Sequence, residues 1–335
     1  MAQADLMRSG AVRAAAPPRP GAGGLVVPAV LFGAFAAVPL LGAFVAESWL
    51  LGMATRMMIF AIAALALDLL VGYGGLVSFG HAAFIGIGAY AVGILAAHGI
   101  GDALVALPVA LAACALFAWL TGSICLRTRG VYFIMITLAF GQMAFFTAGS
   151  LAPYGGDDGL TLHARNTVAG LPWLDDDRFF HYFVLACLVA TWLACRALVA
   201  SRFGRVFRGV KENATRVAML GFEVYRFRLA GYVIAGTIGG LSGFLLANAT
   251  NFVSPAYMSW QRSGELLVMI ILGGTGTLQG AIAGTTIYLL AEEWLSGLTE
   301  HWKMIFGPLL VLAVLFVPGG LSGIGAALLR RVRRG

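Results

Sequence analysis

The segment Ser201–Arg228, SRFGRVFRGVKENATRVAMLGFEVYRFR, is a polar stretch between two long apolar ones. It carries seven Arg or Lys residues against two acids, Glu212 and Glu223. Short loops rich in Lys and Arg remain on the cytoplasmic side of a membrane. We therefore predict that this basic segment faces the cytoplasm.

Small apolar residues recur at helical spacing within the basic segment. Such spacing predicts one apolar side of a short helix, formed by Val210, Ala214, Val217, Ala218 and Gly221. The other side would carry Lys211, Glu212, Thr215 and Arg216. A short amphipathic helix between membrane spans is suited to docking a cytoplasmic partner.

The composition of the whole chain indicates a membrane protein. Apolar residues make up 60% and charged residues 11%, and the mean hydropathy is +0.89. Soluble domains carry about 25% charged residues. Because a span needs roughly 20 apolar residues, we predict an all-α polytopic protein with roughly 8–10 transmembrane helices. The continuous apolar runs argue against a barrel of short alternating strands.

Neither the net charge nor the cysteines indicate a further class of function. The net charge of +7 lies at predicted cytoplasmic ends, so it indicates topology rather than nucleic-acid binding. The four cysteines lie in apolar runs without metal-ligand spacing, which predicts helix packing and no metal site; they are Cys114, Cys125, Cys187 and Cys195.

The apolar runs divide the chain into a basic disordered N-terminus at 1–24, a membrane domain at 25–320 and a basic tail at 321–335. The distribution of Arg and Lys predicts that both termini are cytoplasmic, while the acidic loop 150–178 faces outward. The predicted spans are 25–46, 53–72, 77–97, 103–126, 131–149, 179–200 and 229–252, a broken pair near 264–274 and 278–292, and a last span near 303–318. These orientations are consistent with one another only if the broken pair enters and leaves the membrane on the same side, as a helix pair or re-entrant hairpin.

Glycines concentrate in two similar strings, Gly74–Tyr90 and Gly273–Tyr288. Gly-interrupted apolar segments in corresponding halves indicate the pathway of a transporter. Dense glycine also allows close helix packing in lipid. Both interpretations stay open from the sequence.

Four polar residues are candidates for the translocation pathway: Asp68, Ser78, His81 and Gln142. A charged group at the bilayer centre costs about 2.5–3.5 kcal/mol on insertion scales. We therefore expect Asp68 to lie near a headgroup boundary, to be paired, or to line water. The alternative for the other three is a hydrogen bond that holds helices together.

The basic segment resembles the cytoplasmic coupling segment of ABC-importer permeases of the branched-chain amino acid family (LivM type). The match runs from Ser201-Arg202-Phe203-Gly204-Arg205 through Arg208–Glu212, with Lys211 in place of an arginine and Asn213 and Ala214 where acids are frequent. Further family-like strings extend the resemblance over about residues 50–325; they are Ala66–Tyr90, Leu126–Gln142, Gly155–Leu160, Ile271–Thr285 and Gly307–Leu321.

The resemblance implies the ABC importer permease fold in a bacterial inner membrane. It also implies a second, similar permease (a heterodimer rather than a homodimer), two cytoplasmic ATPase subunits and a periplasmic substrate-binding protein. ATP and Mg²⁺ would bind the ATPase subunits, and no cofactor would bind this chain. The chain has no Walker A motif, because its only lysines, Lys211 and Lys303, precede Glu212 and Met304. It is therefore predicted not to be an enzyme.

The resemblance also assigns residues to contacts with these partners. The ATPase-coupling residues would be Arg208, Lys211, Glu212, Asn213, Ala214, Arg216, Val217, Ala218 and Gly221. Glu212 and Arg216 would make charge contacts while the small apolar residues fill a groove; the alternative is a solvated basic loop. Binding-protein docking would use Asp157, Asp158, Arg262 and Glu292, for which the alternative is an ordinary solvated rim.

Function is thus expected to be the import of branched-chain amino acids, or of urea or short amides as in related permeases. An ion-coupled secondary transporter would also use broken helices, but buried acids other than Asp68 are scarce. An intramembrane enzyme is disfavoured, because Ser78 and His81 lack a G-x-S-x-G elbow and no H-E-x-x-H motif exists.

Overall fold

The computed structural model describes residues 26–42 and 47–298, with isolated positions between 301 and 320. These residues are mainly helical, with one small antiparallel pair of strands, β1 (Leu160–Thr161) and β2 (Phe252–Val253). The helices are α1 Val26–Gly42, α2 Glu47–Asp68, α3 Ala82–Ala97, α4 Ala103–Cys125, α5 Val131–Ser150, α6 Asp177–Ala200, α7 Arg202–Met219, α8 Val224–Thr250, α9 Trp260–Gly273 and α10 Leu278–Leu298.

Within the described part of the chain, five helical segments are long and apolar enough to cross a membrane, which agrees with an all-α polytopic membrane protein. They are Trp49–Tyr73, Ala103–Cys125, Val131–Ser150, Asp177–Ala200 and Val224–Thr250. The predicted broken pair is present as α9 and α10, which are bent by 115°. Most of the last predicted span and both predicted terminal segments, 1–24 and 321–335, lie outside the described residues.

Two shorter apolar helices, α1 and α3, correspond to the first and third predicted spans. The third span was predicted to begin at 77, but α3 begins at Ala82. The difference arises because Gly75 has a positive φ of 67° and the chain turns through Ser78–His81 before it becomes helical. The second span ends in a π-helical turn, Leu69–Tyr73. Such turns are frequent at functional sites.

The core is centred on α2. In the Trp49–Tyr73 segment 78% of the most apolar window is buried, compared with 22–28% in α4, α5 and α6. A helix that is apolar on all sides is expected at the centre of a bundle. Glycines on α8 allow it to approach α3 closely, because a Cβ at Gly243 would overlap the Ile85 carbonyl.

The loop between α5 and α6 is held against the bundle by Arg165. Its guanidinium donates to the carbonyls of Asn248 (3.0 Å) and Leu174 (2.9 Å) and pairs with Asp177 at 2.6 Å. It also lies 4.6 Å from the centre of the Phe180 ring. This acidic loop is therefore a folded part of the protein.

Candidate functional site

The basic segment forms α7, which is kinked at Asn213 (φ −157°, ψ 94°). The Asn213 side chain accepts a hydrogen bond from the Arg216 backbone nitrogen at 2.9 Å, so it caps the second half of α7. The apolar side predicted for Val210–Gly221 is interrupted by this kink: Val210 and Val217 are buried and Ala214 is half-buried, whereas Ala218 and Gly221 are exposed.

The first half of α7 is anchored on the membrane helices. Phe207 and Val210 are buried, and Phe207 lies against Gly74 and Gly231, where a Cβ would collide with its ring. Arg208 donates to the Val199 carbonyl at 3.0 Å. These contacts fix this half of the helix against the ends of α6 and α8.

Lys211 also turns towards the membrane helices. Its ammonium donates to the Gly72 carbonyl at 2.6 Å. Its aliphatic stem lies over Gly75, where a Cβ would be 2.9 Å from Lys211 Cγ. Lys211, predicted to serve ATPase coupling, thus bonds the π-helical turn at the end of α2.

Asp68 lies one turn before Gly72 and is fully buried. Its Oδ1 accepts a hydrogen bond of 2.7 Å from the backbone nitrogen of Gly276, which lies in the break between α9 and α10 with φ +80°. A Cβ at Gly72 would overlap the Gly276 backbone, so the two chains are in direct contact. We call Asp68, Gly72, Lys211 and Gly276 the polar junction.

The polar junction satisfies part of the Asp68 carboxylate. Asp68 Oδ1 accepts the hydrogen bond from Gly276, and the Lys211 ammonium is held at the Gly72 carbonyl, one turn further along the helix. Oδ2 has no hydrogen-bond partner among the described residues. The hydrogen bond to Gly276 is the observed partner of Asp68, whereas its role in the pathway stays a prediction.

A second buried polar region surrounds the turn before α3. Ser78 accepts a hydrogen bond from the Gly80 backbone nitrogen at 3.3 Å. The Ala82 nitrogen donates to Ser263 of α9 at 3.0 Å. Gly80 fits against α5, where a Cβ would overlap the Thr137 carbonyl. This turn is therefore held between α5 and α9.

His81 belongs to the same turn and has no exposed surface. Its ring packs edge-on to Phe84, with centroids 5.4 Å apart. Neither ring nitrogen has a hydrogen-bond partner in the described part of the chain. The half-buried Gln142 follows Gly141, which faces Gly80. The structure thus places Ser78 and His81 in one turn, Gln142 on α5 beside the glycine that faces this turn, and Asp68 in the polar junction.

The predicted binding-protein contacts fall into two groups. Asp157 and Asp158 are exposed on the loop after α5. Arg262 pairs with Glu265 at 2.7 Å, and Glu292 pairs with Arg56 at 3.7 Å. The Arg56 and Arg262 guanidiniums lie 5.9 and 5.7 Å from the Phe60 ring centre. Arg262 and Glu292 are therefore brought together, but they engage other residues of this chain.

The second half of α7 is mostly exposed. Among the predicted coupling residues, Glu212, Arg216, Ala218 and Gly221 face outward. Val217 is buried instead, since its side chain packs towards Gly209 of the first half. Two apolar residues that the sequence analysis did not select, Met219 and Leu220, are 80% and 71% exposed.

Signals for some missed residues were present in the sequence. Arg56 is a charged residue inside a predicted span, so the free-energy cost of placing a charge in the bilayer applies to it as it does to Asp68. Met219 and Leu220 are apolar residues in an otherwise polar segment. Nothing in the sequence predicted the contact between Gly72 and Gly276 except the abundance of glycine in both regions.

Comparison with known proteins shows what the chain is similar to. The profile of the family described as "Branched-chain amino acid transport system / permease component" matches residues 49–315. The permease protein LivM of the high-affinity branched-chain amino acid transport system of Escherichia coli K12 is 27% identical over 292 residues, 80% of this chain and 68% of that protein. The same identity and coverage hold for LivM of Salmonella typhimurium.

A second permease of the same transport system is also similar over a shorter part. LivH of Escherichia coli K12 is 29% identical over 141 residues, which are 40% of this chain and 46% of LivH. No solved structure matches the chain.

Proposed function

Because this chain belongs to the branched-chain amino acid permease family of ABC transporters, we propose that it is the membrane subunit of an ATP-driven importer. The solute would be a branched-chain amino acid, as the names of the LivM relatives suggest. Urea or a short amide is the alternative within the same family.

The exposed second half of α7 is the observation that carries this proposal. It presents Met219 and Leu220 beside Ala218, Arg216 and Glu212. Exposed apolar groups rimmed by charge are typical of a docking surface. An ATPase subunit that holds ATP and Mg²⁺ would bind here, on the cytoplasmic side.

The other partners follow from the family. Two ATPase subunits, a second permease of the LivH type and a periplasmic binding protein would complete the importer in a bacterial inner membrane. Both termini would be cytoplasmic. Asp157 and Asp158 would contact the binding protein, and Arg262 and Glu292 would support the same face through the cluster around Phe60.

The polar junction suggests how movement reaches the pathway. A displacement of α7 would pull on the Gly72 carbonyl through Lys211. Asp68, one turn before Gly72, would transfer this displacement to Gly276 in the break between α9 and α10. A break is where a helix pair bends at low cost, since its backbone is not held by a continuous helical ladder.

The proposed pathway residues are Ser78 and His81 in the turn before α3, together with Gln142 on α5. Leaving a buried polar group without a partner costs about 1–3 kcal/mol. Neither ring nitrogen of His81 has a partner among the described residues, and opening of the helices would let water or a polar solute satisfy them. This would make His81 part of the route that solute takes.

The test is reconstitution of the chain into proteoliposomes with and without its partner subunits. We expect uptake of radiolabelled leucine only when the ATPase subunits, ATP and the binding protein are all present. Uptake of urea in place of leucine would select the alternative solute. Uphill uptake without nucleotide, driven by an ion gradient, would instead show a secondary transporter and refute the proposal.

A further inference from the structure

A cavity of about 140 Å³ lies where the turn between α4 and α5 meets the beginning of α8. Two arginines line it, Arg129 from the turn and Arg228 from α8. Its apolar walls are formed by Leu76, Val77, Phe133 and Ile134. The cavity adjoins the polar junction through Gly75 and the turn that carries His81 through Val77, but its two arginines belong to neither.

The two guanidinium groups have no acid to neutralise them within the described residues. Glu223, the acid nearest to Arg228 in sequence, pairs with Arg226. The Nε atom of Arg228 is buried and has no hydrogen-bond partner in the described part of the chain. A buried cationic donor without an acceptor is costly, and an anion in the cavity would remove that cost.

The backbone adds to the positive potential of the cavity. Gly130 lines the cavity and is the N-cap of α5, a helix of 20 residues. Glycine offers no side chain to cap this helix end. Anions are favoured at such an end by the helix dipole and the free N–H groups.

The position of the arginines relative to the spans identifies the ligand. Arg228 is the fifth residue of the span Val224–Thr250, and Arg129 lies in the turn that joins the spans Ala103–Cys125 and Val131–Ser150. Both therefore lie at the level of the lipid headgroups. Basic pockets between membrane helices bind headgroup phosphates there, and apolar walls would accommodate the adjoining part of a lipid.

We propose that the cavity between Arg129 and Arg228 binds a phosphate group, supplied by an anionic lipid. The two guanidiniums would donate to the phosphate oxygens, as arginines do at phosphate sites in general. The ligand would hold the α4–α5 turn and the beginning of α8 together. This inference is independent of the transported solute and of ATP hydrolysis.

Native mass spectrometry of the purified full chain, delipidated and titrated with phosphatidylglycerol or phosphatidylcholine, tests the proposal. We expect wild type to retain phosphatidylglycerol preferentially. Arg129→Gln should weaken that retention about fivefold, and the double variant with Arg228→Gln about 30-fold. Arg127→Gln, which removes the same charge from the same turn but does not line the cavity, should leave retention unchanged.

The source of the phosphate is decided by competition. Displacement of phosphatidylglycerol by millimolar inorganic phosphate would support the site but assign it to free phosphate. Equal retention of both lipids, or an equal loss with Arg127→Gln, would overturn the proposal. If Arg228→Gln does not fold, Arg228→Lys is used in its place. Arg228→Lys should retain more phosphatidylglycerol than Arg129→Gln does. Lower retention by Arg228→Lys than by Arg129→Gln would also overturn the proposal.

Discussion

The two halves of α7 differ in what they contact, although both belong to one basic segment. Before Asn213, Phe207 and Val210 are buried and Lys211 bonds the Gly72 carbonyl. After Asn213, Met219 and Leu220 are largely exposed. The first half anchors α7 to the membrane helices, and the second half is available to a partner.

The difference shows that a regular apolar spacing does not guarantee one continuous face. Val210 and Val217 have the spacing of one helix side, and both are buried, but they lie on opposite sides of the kink at Asn213. The kink allows the segment to combine a fixed half with an exposed half. Four variants test this division, in order of decreasing effect.

Gly72→Val should have the largest effect, because it disrupts the packing of the helical turn to which Lys211, in the first half of α7, is hydrogen-bonded. The new Cβ would overlap the Gly276 backbone, which cannot rotate away as a side chain would. We expect a loss of about 3 kcal/mol in the free energy of unfolding, measured by thermal denaturation in detergent. Gly52→Val is the matched control in α2, since nothing lies within 4 Å of its added Cβ; equal loss in both variants would contradict the close contact.

Lys211→Met should weaken the coupling between ATP hydrolysis and transport. It removes a charged hydrogen bond, a contribution of about 1.5–3 kcal/mol, while preserving an apolar stem over Gly75. We expect the ATPase subunits still to bind but less leucine to be transported per ATP hydrolysed. Arg205→Gln removes an exposed charge from the same half and should not change this ratio. If the two variants behave alike, Lys211 does not transmit movement.

Leu220→Asp should weaken binding of the ATPase subunit without destabilising this chain. Burial of a leucine side chain contributes about 1.5–3 kcal/mol, so the affinity should fall by about tenfold or more. Copurification and light scattering would measure the loss. Ser296→Asp adds the same charge at an exposed position of α10 and serves as control. Normal assembly of Leu220→Asp would show that the exposed half is not the docking surface.

Asn213→Ala should have the smallest effect. It removes the side-chain cap from the Arg216 nitrogen, which costs about 1 kcal/mol. We expect a small decrease in thermal stability and a weaker association with the ATPase. Asn213→Asp retains the acceptor and should behave as wild type. A similar decrease in both variants would mean that the cap does not maintain the kink.

Much of the membrane architecture was predictable because it depends on local composition. The length of the apolar runs predicts α4, α5, α6 and α8 to within a few residues, and glycine predicts the break between α9 and α10. The turn at Ser78–His81 was not distinguished from the following helix, because a window of span length averages its few polar residues with the long apolar run that follows. The roles of the candidate site residues stay predictions.

The class of protein and its family follow from the amino-acid sequence, because apolar length and motif order can be read along the chain. The residues that meet in the polar junction follow instead from how the helices pack. Asp68 bonds a nitrogen 208 positions away, and Lys211 bonds a carbonyl 139 positions away. Such partners depend on how closely glycine-bearing helices approach one another, and periodicity along one helix carries no information about the backbone packed against it.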